Sequence, residues 1–467
     1  MKKIINLSMI LFLSLVSCKT NIIETNLVTL HFGDGSIDNR NTMVLTYEEF
    51  ENLNEYPALD GHNFCAYYYD EFFEKIFYKE NISNKKSIDL YARYVKDIFD
   101  YEVKKDETTN SDYIVINGIK EDAEIEEELF VPECIEYTKI SEIASNGLSD
   151  IDVEKLTLDG IKTIRESAFD DSRIGYMKIS KEIENIEDGA FKNIKYLYKV
   201  NFEDNPYYSA TNNLILKKLE GRQRVIIGYY NEYWNSMFNE QYLDGIEIVD
   251  IAPHSFSNIY SIEDIESVKD ENEKPILDEN GNIIYKKVPE GFSLYIPSSL
   301  TSISDRAFEN CKAYRFNKET KEEVEIQLGT YFFRTLKEVK DYAFANSSIT
   351  LLKYETRIED NVILPFGEGV ESFGQGAFLN TNFVNITIPK SLKTIGVDCF
   401  KGCNELKNIY YEGTEEEFEN IEIASGNEMF TNAKVYYFST EYKENGWYYY
   451  GGKDHKSIPK PILYAKV

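Results

Sequence analysis

One hydrophobic pattern recurs along the chain: an apolar residue, two free positions, a second apolar residue, three free positions, a small residue and phenylalanine. It is spelled by IKTIRESAF ending at Phe169, IENIEDGAF at Phe191, IVDIAPHSF at Phe256, LTSISDRAF at Phe308, LKEVKDYAF at Phe344, VESFGQGAF at Phe378 and LKTIGVDCF at Phe400. A variant, ISEIASNGL, ends at Leu148. The sequence has 28 phenylalanines and is 42% apolar, so chance would pass about five of them through both apolar tests, and the small residue would leave about one. Seven full copies therefore mark a repeat array. From Leu148 to Phe400 the anchors are separated by 21, 22, 65, 52, 36, 34 and 22 residues, which is a unit near 22 lengthened by insertions, the length of the leucine-rich class.

Between anchors lie short alternating runs: LTLDG (Leu156 to Gly160), SLYIP (Ser293 to Pro297), NITIP (Asn385 to Pro389) and KNIYYEG (Lys407 to Gly413). Alternation predicts strands with every second residue inward, and one short strand per coil predicts a parallel sheet. Pro297 and Pro389 end their strands, because proline cannot donate the next ladder hydrogen bond. Asn193, Asn258, Asn310, Asn346 and Asn380 each stand two residues after a phenylalanine, which suits a left-handed or side-chain-bonded turn. Stacked coils then bury each phenylalanine against its neighbours.

The same alignment decides how to read Cys399 and Cys403, whose spacing could put two thiols on one helix face. Cys399 fills the slot of Ala168, Ala190, Ser255, Ala307, Ala343 and Ala377, and Cys403 that of Ser172, Ile194, Ile259, Cys311, Ser347 and Thr381. Both are packing positions, where a free cysteine serves as a small hydrophobe. A metal or redox pair and a disulfide are the alternatives. Beyond Cys18, the cysteines Cys65, Cys134, Cys311, Cys399 and Cys403 are odd in number, so at least one stays free or pairs outside the chain.

Composition narrows the function classes. A length of 467 residues requires several domains or a repeat array. The net charge of −30, from 81 acidic against 51 basic residues, argues against nucleic acid or an anionic membrane surface as partner. A neutral or cationic partner fits better. Aromatic content of 14% indicates folded structure beneath a solvated acidic surface. The first twenty residues, MKKIINLSMILFLSLVSCKT, place Lys2 and Lys3 before an apolar run from Leu7 to Val16 that is too short to span a bilayer, the form of an export signal. Leu15-Val16-Ser17-Cys18 resembles a bacterial lipobox, which implies cleavage before Cys18 and lipid on its sulfur. A plain secretory peptide is the alternative. Lys19 follows Cys18 and leaves the membrane leaflet open.

The repeats resemble the BspA-type leucine-rich repeats of bacterial surface proteins, and IPSSLTSISDRAFENC (Ile296 to Cys311) and IPKSLKTIGVDCFKGC (Ile388 to Cys403) match that family's unit closely. The segment from Asn201 to Asn231 resembles the family's hairpin insertion, and Tyr410 to Phe438 its C-terminal coil. Departures are Ser180 in place of the usual proline, Leu148 in place of phenylalanine, and the stretch Ile262 to Val288, where Asn280-Gly281 suggests an extra hairpin. Ahead of the repeats, residues 26–95 resemble the internalin-type B repeat. Gly61, Phe64, Ala66, Tyr67, Tyr68 and Asp70 stand in its first motif, and Leu90, Tyr91, Ala92, Arg93 and Tyr94 in its second. Tyrosine replaces both tryptophans there, and Ala66 a glycine. An unrelated acidic α+β domain is the alternative.

The fold expected is thus a leucine-rich repeat solenoid of parallel strands with turns, short helices and hairpin insertions, preceded by a small β-grasp-like α+β domain. The divisions are a signal over 1–17, a lipidated tether over 18–25, the β-grasp-like domain over 26–95, a junction over 96–112, the repeat domain over 113–450 and a tail over 451–467.

Chemistry is sparse. His31, His62, His254 and His455 have no ligand spacing, so zinc and a histidine base are poorly supported. Asp278 to Asn282 resembles the start of a calcium loop, but Pro289 stands where an EF-hand needs glutamate. No phosphate-cradling glycine loop appears. No catalytic, cofactor or metal residue is assigned. The cluster GYYNEYW, with Tyr229, Tyr230, Tyr233 and Trp234, is a candidate contact surface, and WYYY (Trp447 to Tyr450) a weaker one. Resemblance implies a lipid-anchored, adhesin-like protein of the bacterial cell surface or outer membrane, whose solenoid contacts a host extracellular-matrix or cell-surface protein, or one on a neighbouring cell. The alternatives are a structural envelope component and a surface hydrolase whose catalytic residues lie in residues 26–112 or in the insertions.

Overall fold

A computed structural model describes residues 27–81, 87–211, 213–228, 247–258, 260–265, 293–295, 299–317, 322–326, 328–331, 335–350, 363–366, 369–441, 446–449 and 461–463. The chain divides into two compact units, with the boundary between Asp97 and Ile98.

In the first unit, β1 (Leu27–His31) pairs antiparallel with β2 (Thr42–Thr46) and parallel with β4 (Ile88–Lys96), which pairs antiparallel with β3 (His62–Tyr68). The sheet order is β2-β1-β4-β3. A short helix α1 (Tyr47–Glu51) leaves β2 directly, because Thr46 and Glu49 form a reciprocal capping box that satisfies backbone donors at its start. Val28, Leu30 and Leu90 of the sheet and Phe50 of the helix are all fully buried, and the Phe50 ring packs against Tyr67 and Phe77.

The second unit opens with an antiparallel hairpin of β5 (Phe99–Lys105) and β6 (Asp112–Ile119). Residues 99–105, in the stretch assigned above to a junction, are therefore a paired strand. From there each coil supplies two parallel strands rather than the single one expected. One sheet runs through β7 (Glu128–Val131), β10 (Asp152–Leu158), β12 (Arg173–Ile179) and β14 (Lys199–Phe202). The other starts at β6 and passes through β9 (Thr138–Ile143), against which the two-residue β8 (Cys134–Ile135) folds, to the two-residue strands β11 (Thr163–Ile164) and β13 (Asn185–Ile186). These strands lie inside the pattern itself, around its second apolar residue. Two residues are too few to alternate, so the pattern hides them.

The insertion after β14 folds as a meander of Tyr208–Thr211, Leu214–Leu219 and Arg222–Gly228, and the last of these pairs in parallel with Ile248–Ile251. Arg224 joins that insertion to a repeat turn, with Nη1 2.5 Å and Nη2 2.9 Å from the Asp188 carboxylate and Nε 2.6 Å from Asp250. Two-residue strands resume at Ser302–Ile303, Glu338–Val339, Ser372–Phe373, Thr394–Ile395 and Glu422–Ile423. The longer strands Ile363–Pro365, Asn385–Ile388, Asn408–Tyr411 and Lys434–Phe438 run beside them in a second parallel sheet, which ends in Gly446–Tyr449 and the antiparallel Pro461–Leu463. The hairpin expected near Asn280 lies outside the described residues.

Coils are joined at the anchors. Phe256, Phe308, Phe344, Phe378, Phe400 and Phe430 stack ring on ring, with centroids 4.8 to 5.8 Å apart. Phe430 belongs to the ladder although a short helix, Glu428–Thr431, replaces the usual turn before it. Six anchor N–H groups donate to the carbonyl of the small residue one coil on: Leu148 to Ala168, Phe169 to Ala190, Phe256 to Ala307, Phe308 to Ala343, Phe344 to Ala377 and Phe378 to Cys399. Ala168, Ala307, Ala343, Ala377 and Cys399 are fully buried, and a larger side chain would push these carbonyls out of reach.

Two columns of left-handed residues flank the anchors. Asn193, Asn258, Asn310, Asn346 and Asn380 have φ of 54° to 57°, as their spacing predicts, and their amides form a ladder. Asn310 Nδ2 donates to Asn258 Oδ1 at 2.9 Å, Asn380 Nδ2 to Asn346 Oδ1 at 2.8 Å, and Asn258 Nδ2 to Asn193 Oδ1. At the next coil Gly402 takes this place with φ +77°, and a Cβ there would fall on Asn380 Oδ1. The second column, two residues before each anchor, includes Ser167, His254, Arg306 and Tyr342 at φ of 54° to 61°.

The cysteines sort with the packing. Cys311, Cys399 and Cys403 are buried free thiols, whereas Cys65 and Cys134 are disulfide-bonded. Cys403 Sγ donates to Phe378 O at 3.1 Å, the same service that Ser172 Oγ gives Leu148 O one coil back, at 2.7 Å. Burial raises the Cys403 thiol to about 11 and Cys311 to about 12, and it raises Cys399 well above the ordinary thiol value.

Candidate protein-binding face

The sheet β7-β10-β12-β14 turns one face inward through Leu129, Leu156, Met177 and Val200, all buried. Its other face carries Phe130, Lys155, Tyr176, Lys178 and Lys199. Pairing sets Lys155, Tyr176 and Lys199 side by side on three neighbouring strands. Lys199 Nζ stands 5.4 Å from the Tyr176 ring centroid, a cation held by the ring's negative face.

Beside this row runs KYLYK, Lys195 to Lys199, in which Leu197 is buried and the flanking tyrosines point out. Tyr196 is 61% exposed and Tyr198 48%. Neither ring hangs loose. The Arg173 guanidinium lies 3.9 Å from the Tyr196 centroid. Tyr198 Oη donates to Glu154 Oε1 at 2.7 Å, and this bond to a carboxylate raises the pKa of the phenol. Tyr198 rests on the strand at Gly175, where a Cβ would stand 2.9 Å from the Tyr198 ring. Glycine at 175 lets the ring lie flat.

Ion pairs frame the rings: Lys155 with Glu128 at 2.9 Å, Lys178 with Glu203 at 2.5 Å and Lys195 with Asp171 at 2.5 Å. On the strands themselves the outward residues Glu128, Asp152, Glu154, Lys155, Arg173, Lys178 and Lys199 sum to 4 − 3 = +1, against −30 for the chain. This face is therefore neutral ground on an acidic protein.

At the C-terminal end the corresponding outward face is closed. Trp447 is 0% exposed, packs on Tyr410 and Phe438, and donates Nε1–H to Tyr411 O at 2.8 Å. Burial under it raises Tyr410 to about 12. Trp447 thus seals an end rather than offering a contact. Tyr229, Tyr230, Tyr233 and Trp234 lie outside the described residues, as does Cys18. The sequence reading passed over Tyr196 and Tyr198, although the alternation in KYLYK carries the signal.

Among the described residues His31, His62 and His254 are not brought together, and His455 lies outside them. His31 stacks on Tyr91 at 4.7 Å and bonds Asp89 at 2.9 Å, beside an open hollow of about 390 Å³ on the first unit. His62 Nδ1 bonds Asp60 O, and His254 is half-buried among the repeat turns. Among the described residues no cluster of three or more His, Cys, Asp or Glu could hold a metal, and no helix is long and apolar enough to cross a membrane.

The chain belongs to the BspA type leucine rich repeat region family, matched in six copies over residues 125–221, 235–362 and 331–441. Proteins of this class are bacterial surface proteins. Solved structures similar to it include a leucine rich cell surface protein from Faecalibacterium prausnitzii, at 13% identity over 70% of this chain and 97% of that one, with a TM-score of 0.31. The pneumococcal vaccine antigen PcpA is 14% identical over 74% of this chain and 93% of its own, with a TM-score of 0.28. A leucine-rich repeat protein from Eubacterium ventriosum is 15% identical over 61% and 54%, with a TM-score of 0.27. No curated protein matches.

Proposed function

We propose that this chain is an adhesin-like protein of the bacterial surface, held to a membrane by lipid on Cys18, which binds a host matrix or cell-surface protein through the outer face of β7, β10, β12 and β14. The observation that carries this reading is the pair of exposed aromatic side chains at Tyr196 and Tyr198 beside Tyr176, fixed in place by cations and a carboxylate, with Phe130 exposed on the same face. Aromatic anchors that are already ordered lose little entropy on binding and dominate interface energetics. The first unit serves as a β-grasp-like spacer of the internalin B-repeat kind. Its mixed four-stranded sheet with a central parallel pair, and a helix following the first hairpin, supports that part of the reading. The lipid anchor is supported by the lipobox-like tetrad and the charged, apolar leader before it.

The test is capture of purified extracellular-matrix proteins by the full-length protein and by Tyr196→Ser/Tyr198→Ser, with palmitate labelling of wild type and Cys18→Ala in cells. Loss of capture by roughly tenfold or more in the double variant, and loss of label in Cys18→Ala, are expected. Equal capture by both proteins would remove the face from the proposal, and equal labelling would remove the anchor.

A further inference from the structure

The sheet of the first unit has an outer face, opposite the side on which Val28, Leu30, Met43 and Leu90 are buried. Strand register lays two rows across it: Thr42, His31 and Tyr91 from β2, β1 and β4, and beside them Val44, Thr29 and Asp89. None of these six is buried, and Val44 is 57% exposed. At the first row the face deepens into the hollow of about 390 Å³, walled by Asn41, Glu71 and Phe73. Glu71 and Phe73 belong to a closed loop after β3. The Asp70 carboxylate accepts from the N–H groups of Phe72, Glu74 and Lys75 at 3.0, 3.1 and 3.3 Å, and Tyr69 N donates to Lys75 O at 3.0 Å. The loop holds Phe73 at φ +59°, a conformation that bulky residues avoid. It also holds Phe72 76% exposed, more than any other large hydrophobic side chain among the described residues.

Charge on this face is one-sided. Asp89 and Glu71 are its acids, Glu74 follows on the loop, and the two rows contain no lysine or arginine. The cations nearby are engaged: Arg93 lies 5.6 Å from the ring centroids of Tyr68 and Phe73, with Nη1 donating to Tyr68 Oη at 3.3 Å, Lys75 lies over Tyr69, and Arg40 pairs with Asp38 at 3.2 Å. A lysine or arginine side chain suits such a place, because its methylene stem lies along apolar surface while its head stays at a carboxylate. Tyr91 and Phe73 supply the apolar wall, Glu71 takes the head, and Asn41 and Thr42 offer side-chain hydrogen bonds to a ligand backbone. Phe72, next to Glu71 in the chain, meets an apolar neighbour on the same ligand.

We infer that the first unit is itself a binding module, whose outer sheet face and hollow take a basic, apolar peptide segment of a partner protein, with a cationic side chain at Glu71 and an apolar one on Phe72. This goes beyond the spacer role proposed for the unit, and it does not depend on the tyrosine face of the second unit.

The probe is a fluorescent peptide of alternating lysine and leucine, with an alternating glutamate and leucine peptide and oligolysine as controls. Each is titrated by anisotropy against the full-length protein at physiological ionic strength, where long-range attraction to an acidic chain is screened. The lysine–leucine peptide should bind more tightly than either control. Glu71→Lys should lose roughly tenfold, and Phe72→Ser a comparable factor. Glu220→Lys, an equal change of charge on an exposed hairpin turn of the second unit, and Tyr196→Ser/Tyr198→Ser should bind as the wild type does. Glu71 and Phe72 are exposed, so unchanged circular dichroism is expected and is the control for folding. Equal losses in Glu71→Lys and Glu220→Lys assign the attraction to net charge and overturn the inference. So does full affinity in Phe72→Ser, or oligolysine binding as tightly as the lysine–leucine peptide. Loss of peptide binding in Tyr196→Ser/Tyr198→Ser alone moves the site to the second unit and overturns it as well, whereas failure of matrix-protein capture with the peptide still bound sinks only the reading of the preceding section.

Discussion

Phe308 and Phe344 lie face to face, ring centroids 5.1 Å apart and planes 6° from parallel, although 36 residues separate them in sequence. Phe378 and Phe400, 22 residues apart, stack at 5.5 Å. The stacking distance does not register the extra length, because the anchor N–H still meets the next small residue's carbonyl at 2.8 Å. The anchor turn fixes the geometry, and insertions leave the coil elsewhere.

Phe344 sits at the middle of this ladder with no exposed surface. Phe344→Ala should cost roughly 3 to 5 kcal/mol, since removal of the ring leaves a cavity between two coils. Coils depend on their nearest neighbours, so amide protection should fall around Phe308 and Phe378 as well, while residues 27–81 keep theirs. Hydrogen exchange read by mass spectrometry follows both regions in one experiment. Protection retained at Phe308 and Phe378 would contradict the ladder, and concerted loss in the first unit would contradict its independence.

The thiol slots yield a second prediction. Cys399→Ala with Cys403→Ser should leave the fold and the metal content unchanged, because Ala377 and Ser347 fill the same slots in other coils and Ser347 Oγ already donates to its own anchor carbonyl at 2.7 Å. In the wild type the raised thiol values keep Cys311 and Cys403 protonated near neutral pH, so iodoacetamide should label them only on unfolding. Stoichiometric zinc in the purified protein, lost in the double variant, would overturn the packing assignment.

What could be read beforehand follows from what recurs. The anchors, the small slot and the asparagine turn repeat by residue type, so the ladder of Phe256 to Phe400 and the left-handed Asn193 to Asn380 were legible. The second left-handed column was not, because His254, Arg306 and Tyr342 share no chemistry. Their conformation is imposed by coil-to-coil hydrogen bonds such as Arg306 N to Asp341 O at 2.9 Å. Phe430 escaped because a helical turn replaces the apolar spacing ahead of it. Tyr196 and Tyr198 escaped for a different reason: outward residues change from coil to coil, so a search for repeats discards the positions that carry specificity.

In the coil that carries Phe430, the side chain of Asn427 takes the place of the carbonyl that an anchor N–H meets elsewhere. Its Oδ1 accepts from Phe400 N at 2.9 Å, and its Nδ2 donates to Gly396 O at 2.9 Å and Ala424 O at 2.8 Å, all from a side chain only 2% exposed. Asn427→Ala strands three backbone groups, each costing about 1–3 kcal/mol when left unsatisfied in the interior. Allowing for water entering the vacated space, a loss of about 2–4 kcal/mol in denaturant unfolding is expected. A loss within experimental error would show that the amide does not carry the cap.

His254 gives the repeats a dependence on pH. Burial lowers its pKa below the ordinary histidine value, and Lys192 and Arg306 act in the same direction, against the opposing pull of Glu309 and Glu166. The folded state therefore resists protonation that the unfolded chain accepts. The stability this group contributes is full above the unfolded value, about 6.5, and is lost as pH falls through the depressed folded value. His254→Asn removes the titration and suits the left-handed φ of 61° at this position. Melting temperature measured from neutral pH downward should fall more steeply for the wild type than for His254→Asn just below pH ~6.5, with the two curves parallel above it. A wild-type curve as flat as the variant's would show that His254 accepts its proton in the folded protein as readily as in the unfolded chain.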